Sequence, residues 1–464
     1  MYTTIRRIHL IGIGGTGMSG IAEVLLNQGY DVSGSDIKHT EVTETLERLG
    51  GRVFYSHNAR NVQNAQVVVI SSAIRADNPE LVAAREQNIP VISRAEMLAE
   101  LMRQKYGIAI AGAHGKTTTT SMIASVLTQG YLAPTIVIGG RLRSSNRNAK
   151  LGTGQFFVAE ADESDGSFLK LSPTIAVITT IDEEHLDHYK DIEEIKDAFV
   201  EFANKIPFYG AAVVCADDEH VRSIIPRITR RVLTYGLDGE TDVSALAVTQ
   251  TGMRVCYKAF LKGELLGEME LNMPGRHNVY NSLAALAVGL ELRVEFEAIK
   301  SALAEFQGVE RRFEMKGEAG GITVLDDYGH HPTEIRAVLE TARDIWRRRV
   351  VAVFQPHRYT RTALLLSEFG KAFDACERVY LTDIYAAGEE PVEGVSSEHV
   401  AVEIRKRGKA EAEYEPDWES LLEELSAFLR PGDIVVTLGA GDITGFGERL
   451  LDRIRAGKES VRCE

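Results

Sequence analysis

The residues best suited to chemistry in this chain lie between Gly107 and Thr120, GIAIAGAHGKTTTT. An apolar run, Ile108–Ala111, leads into glycines at 112 and 115. Lys116, four threonines and an apolar-periodic segment from Met122 to Leu127 follow. That order predicts strand, glycine loop and helix. Backbone N–H groups around such glycines can surround a phosphate, and a helix N-terminus adds partial positive charge. Lys116 is then placed to reach β/γ-phosphates and Thr117 to offer its hydroxyl to Mg²⁺. The loop is a short variant, GxxGKT, with Ile110 where the usual pattern has its first glycine. The alternative is a Gly-rich turn before a helix, which the threonine run and the strand–loop–helix context disfavour.

Two further strand ends carry matching chemistry. The apolar stretch Gln155–Ala159 runs into Glu160, Asp162, Glu163 and Asp165. A carboxylate directly after a strand can face a phosphate loop and hold Mg²⁺, which singles out Glu160; the other acids read equally well as a solvated face. The strand Thr174–Ile178 leads to His185 among Asp182, Glu183, Glu184 and Asp187. A lone histidine is more often structural than a ligand, but here three successive strands end in phosphate or metal chemistry.

The N-terminus repeats the theme. A strand from Ile5 to Ile13 ends in Gly12, Gly14, Gly15, Thr16 and Gly17, followed by a helix from about Met18 to Leu26. A glycine loop opening a helix in this way suits a pyrophosphate, and Asp36 stands at a distance that suits a ribose hydroxyl. NAD(P) or any nucleotide diphosphate fits the same physics. Ser71 and Ser72 end the strand Val67–Ile70, where open α/β sheets bind ligands; turn or helix capping is the competing reading. Further on, Asn278 and Asn281 share one face of a helix start and could read an adenine edge, with N-capping by Asn278 as the alternative.

The elements that position these residues fall into three groups. The first ends with a helix, Arg94–Arg103. The second contains strand Thr135–Ile138 with a turn at Gly139-Gly140, helix Ile192–Ala203, strand Ala211–Cys215 and antiparallel-style alternation over Val243–Met273. The third, after a linker at Phe306–Val309, alternates strand and helix: Ile322–Leu325, Thr333–Trp346, Val350–Phe354, Leu364–Phe373, Arg378–Leu381, Trp418–Leu429 and Asp433–Thr437. This is βαβ repetition with parallel-sheet logic. Its strand ends carry Asp326–Pro332, Gln355–Arg361 and Gly439–Asp442. Arg358 and Arg361 could clamp a carboxylate or phosphate. The expected fold is α/β with three domains, at residues 1–106, 107–308 and 309–464.

Length and composition agree with several soluble globular cores: 464 residues, net charge −15, and four scattered cysteines without metal-ligand spacing. The acidic balance argues against a nucleic-acid-coating protein. The cysteines suggest a reducing cytoplasm without disulfides or zinc. The apolar part of the N-terminus is too short to span a membrane and reads as a first strand. One site for a diphosphate-linked group, one for ATP and Mg²⁺ and one basic clamp together suggest ATP-driven condensation: a carboxylate is phosphorylated, then attacked by an amine.

The ordered motifs GIGGTGMSGIA, GSD, SSAI, AGAHGKTTT, EADESDGSF, HLDHY, GRHNVYNSLAA, GVERRFE, DDYGHHPTEI and FQPHRYTRT resemble the Mur ligases of bacterial peptidoglycan synthesis over essentially the whole chain. The resemblance implies a Rossmann-like N-terminal domain, a P-loop ATPase-type central domain and a Rossmann-like C-terminal domain that closes on ATP. It implies UDP-N-acetylmuramate, L-alanine and ATP as substrates, bound with ATP first and the amino acid last. Two Mg²⁺ ions are implied, with Mn²⁺ as a substitute, in a cytoplasmic monomer or weak dimer that binds no nucleic acid. Gly14, Gly15, Thr16, Gly17, Asp36, Ser71 and Ser72 match the UDP-sugar site. Gly112, Ala113, His114, Gly115, Lys116, Thr117 and Thr118 match the ATP loop. Glu160 and His185 match ligands of the first and second magnesium, Asn278 and Asn281 the adenine side, and Asp327 a ribose contact. Arg312 is assigned to the ATP site and, with His330, Arg358 and Arg361, to the side facing the muramoyl substrate and the amino acid. Lys116, Glu160, His185 and Arg358 are the implied catalytic set.

The chain departs from the family pattern at Ala113, where threonine is usual, at Thr180, where asparagine is common, and at Glu184, where aspartate is usual. A carbamylated lysine is not expected, because Lys196 is off register. The nearest rival is a recycling ligase that joins a whole tripeptide to the same sugar nucleotide; the PHRYTR segment argues against it. An NAD(P)-dependent oxidoreductase would leave the phosphate loop unexplained. A nucleotide-dependent switch would leave the condensation machinery without a task.

Overall fold

In the computed structural model, residues 4–71, 73–143, 147–186, 188–238 and 240–462 are described. Three sheets carry the chain within two compact units. One unit holds residues 1–249, 256–272 and 276–308; the other holds 250–255, 273–275 and 309–464.

The first sheet contains β1 (Arg7–Ile11), β2 (Asp31–Ser35), β3 (Arg52–Phe54), β4 (Val67–Ile70) and β5 (Val91–Ser93). Its order is β3-β2-β1-β4-β5, and every pairing is parallel. The strand order reverses at β1, which opens a crevice at the carboxyl ends. Register decides what lines it. Ile11 pairs with both Ser35 and Ile70, so Gly12, Asp36 and Ser71 leave the sheet side by side. Ser72 lies outside the described residues.

The second sheet belongs to the same unit. Its strands are β6 (Tyr106–Ala111), β7 (Thr135–Leu142), β8 (Arg147–Lys150), β9 (Phe156–Glu160), β10 (Ile175–Ile178), β11 (Ala211–Cys215), β12 (Val232–Gly236), β13 (Val243–Thr251), β14 (Arg254–Leu261) and β15 (Glu264–Leu271). The order is β15-β14-β13-β12-β11-β10-β6-β9-β7-β8. β6 sits between β9 and β10, with Ile110 opposite Glu160 and Ala111 opposite Ile178. One apolar core joins the first and second sheets, drawing on Ile8, Leu25, Val137, Phe157 and Phe202. The helix Thr16–Asn27 lies on β7 and β8. A Cβ on Gly20 would come within 3.3 Å of Val137, and Asn148 Nδ2 donates to Thr16 O at 2.8 Å and Ser19 Oγ at 2.9 Å. One residue before β6, Lys105 Nζ donates to Thr135 Oγ1 of β7 and to the carbonyls of Gly152 and Gly154 between β8 and β9, all on the side of the second sheet.

Three local expectations are corrected here. Gly139 and Gly140 do not turn the chain; β7 runs through them to Leu142. The glycine is needed for close approach, since a Cβ on Gly139 would stand 2.7 Å from Glu160 Oε2. The helix after the phosphate loop starts at Lys116 rather than Met122 and runs to Gln129. Thr118, Thr119 and Thr120 are buried in that helix, where Thr120 Oγ1 donates back to Lys116 O and the next residue, Ser121, does the same to Thr117 O. Asn278 is not an N-cap, because its helix already begins at Arg276.

The second unit carries β16 (Glu314–Ala319), β17 (Ile322–Asp327), β18 (Val350–Phe354), β19 (Arg378–Leu381), β20 (Glu411–Tyr414) and β21 (Ile434–Leu438), in the order β16-β17-β21-β18-β19-β20. Only the β16 edge is antiparallel. Val350, Ala352 and Phe354 enter one core, while Val351 and Val353 enter the core on the opposite face. That alternation explains why β18 reads as a continuous apolar run. The predicted helix Leu364–Phe373 is two, Tyr359–Leu364 and Leu366–Ala372, broken at Leu365. Strands β8, β12, β16 and β20 and the helices Glu219–Ile224 and Ser397–Arg407 were not legible from periodicity. Among the described residues, no helix is long and apolar enough to cross a membrane.

Candidate active site

The phosphate loop is shaped by glycine and held by threonine. Gly112 has φ +132°, and a Cβ there would meet Thr179 Oγ1 at 2.1 Å and the Thr180 backbone at 2.9 Å. Gly115, at φ +81°, is the N-cap of the helix, and a Cβ on it would meet Asn281 Oδ1 at 2.6 Å. From β10, Thr179 Oγ1 donates to His114 O at 2.6 Å, while Thr180 Oγ1 accepts from His114 N and Thr180 O from Ala113 N. The threonine at 180, unusual for the resembled family, thus braces the loop through its own hydroxyl. His114 Nε2 lies 2.9 Å from Asp182 Oδ2.

Lys116 folds over its own loop. Nζ donates to Gly112 O at 2.6 Å, to Ala113 O at 3.3 Å and to Glu163 Oε1 at 2.6 Å. Burial disfavours the charge on Lys116, but Glu163, then Asp162 and Glu184, outweigh it and raise the ammonium pKa above its ordinary value. Thr117 Oγ1 donates to Glu160 Oε2 at 3.2 Å, and Glu160 Oε1 accepts from Gly139 N at 2.7 Å. The two oxygens expected to share a metal are therefore neighbours. His185 groups with Glu163 and Glu184, their ligand atoms within 4.8 Å of one another. His185 also holds φ +59°, an uncommon backbone conformation for a non-glycine residue and one that clusters at functional sites.

Asn278 and Asn281 are both buried. Asn281 Oδ1 accepts from Thr119 Oγ1 at 3.0 Å, and its Nδ2 donates to Asn278 Oδ1 at 3.2 Å. This pair backs the phosphate loop. Thr118 is buried in the first helical turn.

At the N-terminal crevice, Gly12 takes φ +80° and Gly15 caps the helix Thr16–Asn27 without a side-chain bond. Asp36 Oδ2 accepts from Gly14 N at 2.9 Å and Oδ1 from Lys38 N at 3.1 Å, so Asp36 props the loop from behind. Ser71 Oγ lies 3.8 Å from where a Gly12 Cβ would be. Gly17 packs under Arg94: a Cβ would be 2.5 Å from Arg94 Nη1.

In the second unit, β17, β21 and β18 are neighbours, and their loops gather a basic cluster. The rings of His330 and His357 are 5.6 Å apart, and His357 stacks on Tyr385. Arg361 Nη1 lies 3.2 Å from His357 Nδ1, and Arg358 holds φ +70° as its N–H bonds Tyr385 O. Burial first, then His330, Arg361 and Arg358, push the His357 pKa down to about 3, so this imidazole is neutral. Arg312 lies over the Tyr328 ring at 5.1 Å and 3.7 Å from Glu334. Asp327 is buried; its oxygens accept from Phe313 N and Gly329 N at 2.7 Å, and burial pushes its pKa up to about 6.

Glu163, Thr179, Thr180, Arg94 and His357 are the residues that sequence reasoning did not select for a role. Glu163 and His357 stood within motifs already singled out, so proximity to Glu160 and Arg358 was the available signal.

A strand–glycine-loop–helix around Lys116, with a hydroxyl and a carboxylate side by side beneath it, defines an α/β nucleotide-binding enzyme of the P-loop type. The comparisons narrow this. The family model described as Mur ligase family, catalytic domain, matches residues 7–106; Mur ligase middle domain matches 110–289; and Mur ligase, glutamate ligase domain, matches 311–441. The UDP-N-acetylmuramate–L-alanine ligase of Geotalea uraniireducens is 58% identical over 455 residues, covering 98% of this chain and 99% of that protein. Its namesake from Geobacter sp. strain M21 is 58% identical over 461 residues, covering 99% and 100%. The crystal structure of UDP-N-acetylmuramate-alanine ligase from Thermotoga maritima superposes with a TM-score of 0.81 at 31% identity, covering 97% of this chain and 99% of that one. The chain belongs to the Mur ligase family, with its three-domain α/β fold.

Proposed function

We propose that this chain joins L-alanine to the lactyl carboxylate of UDP-N-acetylmuramate at the expense of ATP, in peptidoglycan precursor synthesis. The observation that carries this reading is the full-length likeness to ligases of that name in a chain whose Lys116, Thr117 and Glu160 converge at adjacent strand ends. In this reading a lactyl carboxylate oxygen attacks the γ-phosphorus and the bond to the bridging oxygen breaks, releasing ADP. The alanine nitrogen then attacks the acyl carbon, the C–O bond to phosphate breaks, and the ammonium proton is lost.

The chain's own residues serve this sequence by screening and positioning. Lys116 leaves Glu163 for the β/γ-phosphates, and the backbone of residues 112–115 cradles them, with Thr118 in the turn above. Asn278 and Asn281 are assigned to the adenine side, and Asp327 and Arg312 to the nucleotide. Gly14–Gly17, Asp36, Ser71 and Ser72 are assigned to the UDP-sugar. His330, Arg358 and Arg361 are assigned to the acceptor and the amino acid. Thr117 with Glu160, and His185 with its carboxylate neighbours, fit hard divalent cations, because they offer mainly oxygen donors. Bound Mg²⁺, or Mn²⁺ in its place, would neutralise phosphate charge there. The reading includes domain boundaries at 106/107 and 308/309, a cytoplasmic location, and a monomer or weak dimer without nucleic-acid or membrane partners.

The test is phosphate release from ATP with UDP-N-acetylmuramate, with and without L-alanine, the recycling tripeptide or NADPH. Release that requires L-alanine supports the proposal. Release that ignores L-alanine, or that responds only to the tripeptide, overturns it.

A further inference from the structure

His357 follows β18, and its ring is held from several sides. Its backbone bridges to Tyr385, and the two rings stack with centroids 5.6 Å apart and 12° between their planes. The next residue, Arg358, donates its N–H to Tyr385 O, and Tyr385 N donates to Pro356 O. From the helix Tyr359–Leu364, Arg361 Nη1 lies 3.2 Å from His357 Nδ1 and donates to His357 O at 3.3 Å.

An arginine nitrogen can only donate. Nδ1 must therefore accept, and in a neutral imidazole the single proton then sits on Nε2. The surroundings keep the ring neutral: burial, His330, Arg361 and Arg358 all disfavour its charge. The opposite arrangement occurs in the first unit. There His57 Nδ1 lies 2.8 Å from Glu80 Oε2, so Nδ1 is the donor and the neutral ring is left with an accepting Nε2. A histidine of that kind can serve as a base. His357 offers Nε2–H instead. Its ring is half-buried, and among the described residues no protein group accepts from Nε2.

The company of Arg358 and Arg361 decides what such a donor recognises. Two guanidinium groups and an N–H attract an anionic oxygen and repel an ammonium. Alanine has a single methyl group to bury, so its carboxylate must supply most of its recognition.

We propose that His357 is a fixed Nε2–H donor to the carboxylate of the incoming amino acid and is not the base for its ammonium proton; this rests on the function proposed above. Arg361 is then a positioning residue as well as a charge, because it sets the tautomer through Nδ1. The carboxylate is held at the basic cluster, and the amino group is turned away from it.

The test compares L-alanine with L-alaninamide, which lacks the carboxylate, in phosphate release by the full-length wild type, His357→Gln and His357→Leu. Glutamine can place an N–H where Nε2–H stands; leucine places none. His357→Leu should raise the KM for L-alanine about 10- to 100-fold, the scale of one hydrogen bond to a charged group, with kcat changed less than about threefold. His357→Gln should bring that KM back to within about fivefold of wild type. For L-alaninamide, kcat/KM should differ less than about threefold among the three proteins, as should the KM values for ATP and UDP-N-acetylmuramate. Long-range ¹H–¹⁵N spectra of histidine-labelled wild type, with the signal assigned by its absence from His357→Gln, should place the proton on Nε2 near neutral pH. Thermal midpoints report folding of the variants, and the wild-type spectrum decides the tautomer whether or not His357→Leu folds. A proton on Nδ1 overturns the inference. So do equal losses with the two amines, or a His357→Gln variant that loses kcat together with the acidic limb of the pH–rate profile. A wild type whose phosphate release ignores L-alanine overturns the proposed function and this inference with it; the other adverse results, in a wild type that requires L-alanine, overturn the inference alone.

Discussion

The chain uses the same backbone device twice within one unit, and the two copies differ in the charge placed beside them. The loop after β1 is backed by the carboxylate of Asp36, which accepts the Gly14 N–H, and is flanked by Arg94. The loop after β6 is backed by threonine hydroxyls and carbonyls, covered by the Lys116 ammonium and faced by Glu160, Glu163 and Glu184. Backbone N–H groups alone suit any phosphate. The first loop offers N–H groups and a guanidinium, which suits a diphosphate without a metal. The second offers a lysine plus carboxylates, which suits a triphosphate that arrives with a cation. In the proposed function the surrounding charges, rather than the glycines, would tell the two ligands apart.

The strongest way to break this comparison is to remove the cation of the second loop. Lys116→Ala should lower kcat by about 10³-fold, the scale of losing a preorganised charge at a phosphoryl centre. Calorimetry should find UDP-N-acetylmuramate binding within about threefold of wild type; joint loss in a folded variant would show that the loops are not separate sites. Next come the glycines. Gly112→Ala sets a Cβ 2.1 Å from Thr179 Oγ1 at φ +132° and should destabilise by ~1–3 kcal/mol from backbone strain alone. At Gly14→Ala, where φ is not positive, the nearest atoms to the Cβ belong to the Asp36 and Thr43 side chains rather than to backbone, so its thermal midpoint should fall less while the KM for the UDP-sugar rises.

The basic cluster of the second unit sharpens the contrast through pH. His357 has a pKa of about 3 in the fold and an ordinary value near 6.5 unfolded. Between those values the unfolded chain binds the proton and the folded chain does not, so stability rises with pH across that window and levels off above it. From pH 7 to pH 4 the wild type should lose ~1–2 kcal/mol more than His357→Asn, a partial value because the ring is only half-buried. Chemical denaturation at both pH values checks this; equal losses would show that His357 is not held neutral. The smallest effect concerns the brace. Thr180→Val removes the acceptor for His114 N and should raise the KM for ATP about fivefold, the scale of one net hydrogen bond, while leaving the UDP-sugar KM unchanged.

What the sequence disclosed was local. Lys116 and Thr117 are neighbours of their glycines, and Glu160 ends its strand, so type and spacing sufficed. The parts that escaped are contacts across the sheet. Glu163 meets Lys116 over 47 positions, Thr180 meets His114 over 66, and Arg94 meets Asp162 over 68. The first two pairs exist only once β6, β9 and β10 lie side by side, and the third only once the helix after β5 meets the segment after β9. Gly139-Gly140 misled for a related reason. Glycine there answers to the approach of Glu160, and that partner is remote in sequence. The antiparallel edge strands β8 and β16 escaped because short, mostly polar strands such as RNAK and EMKGEA lack the long apolar run of a central parallel strand.

The joint between the first two sheets has a mechanical consequence. With the helix Thr16–Asn27 sharing a core with β7 and β8 and held by Asn148, and with Lys105 fixed to the second sheet's side by one hydroxyl and two carbonyls, the segment around residue 105 is a weld rather than a hinge. The unit that holds both sheets, with residues 256–272 and 276–308, should then melt in one cooperative step. Limited proteolysis should find no cut near Lys105 in the native protein, although the change of motif along the sequence falls at that point.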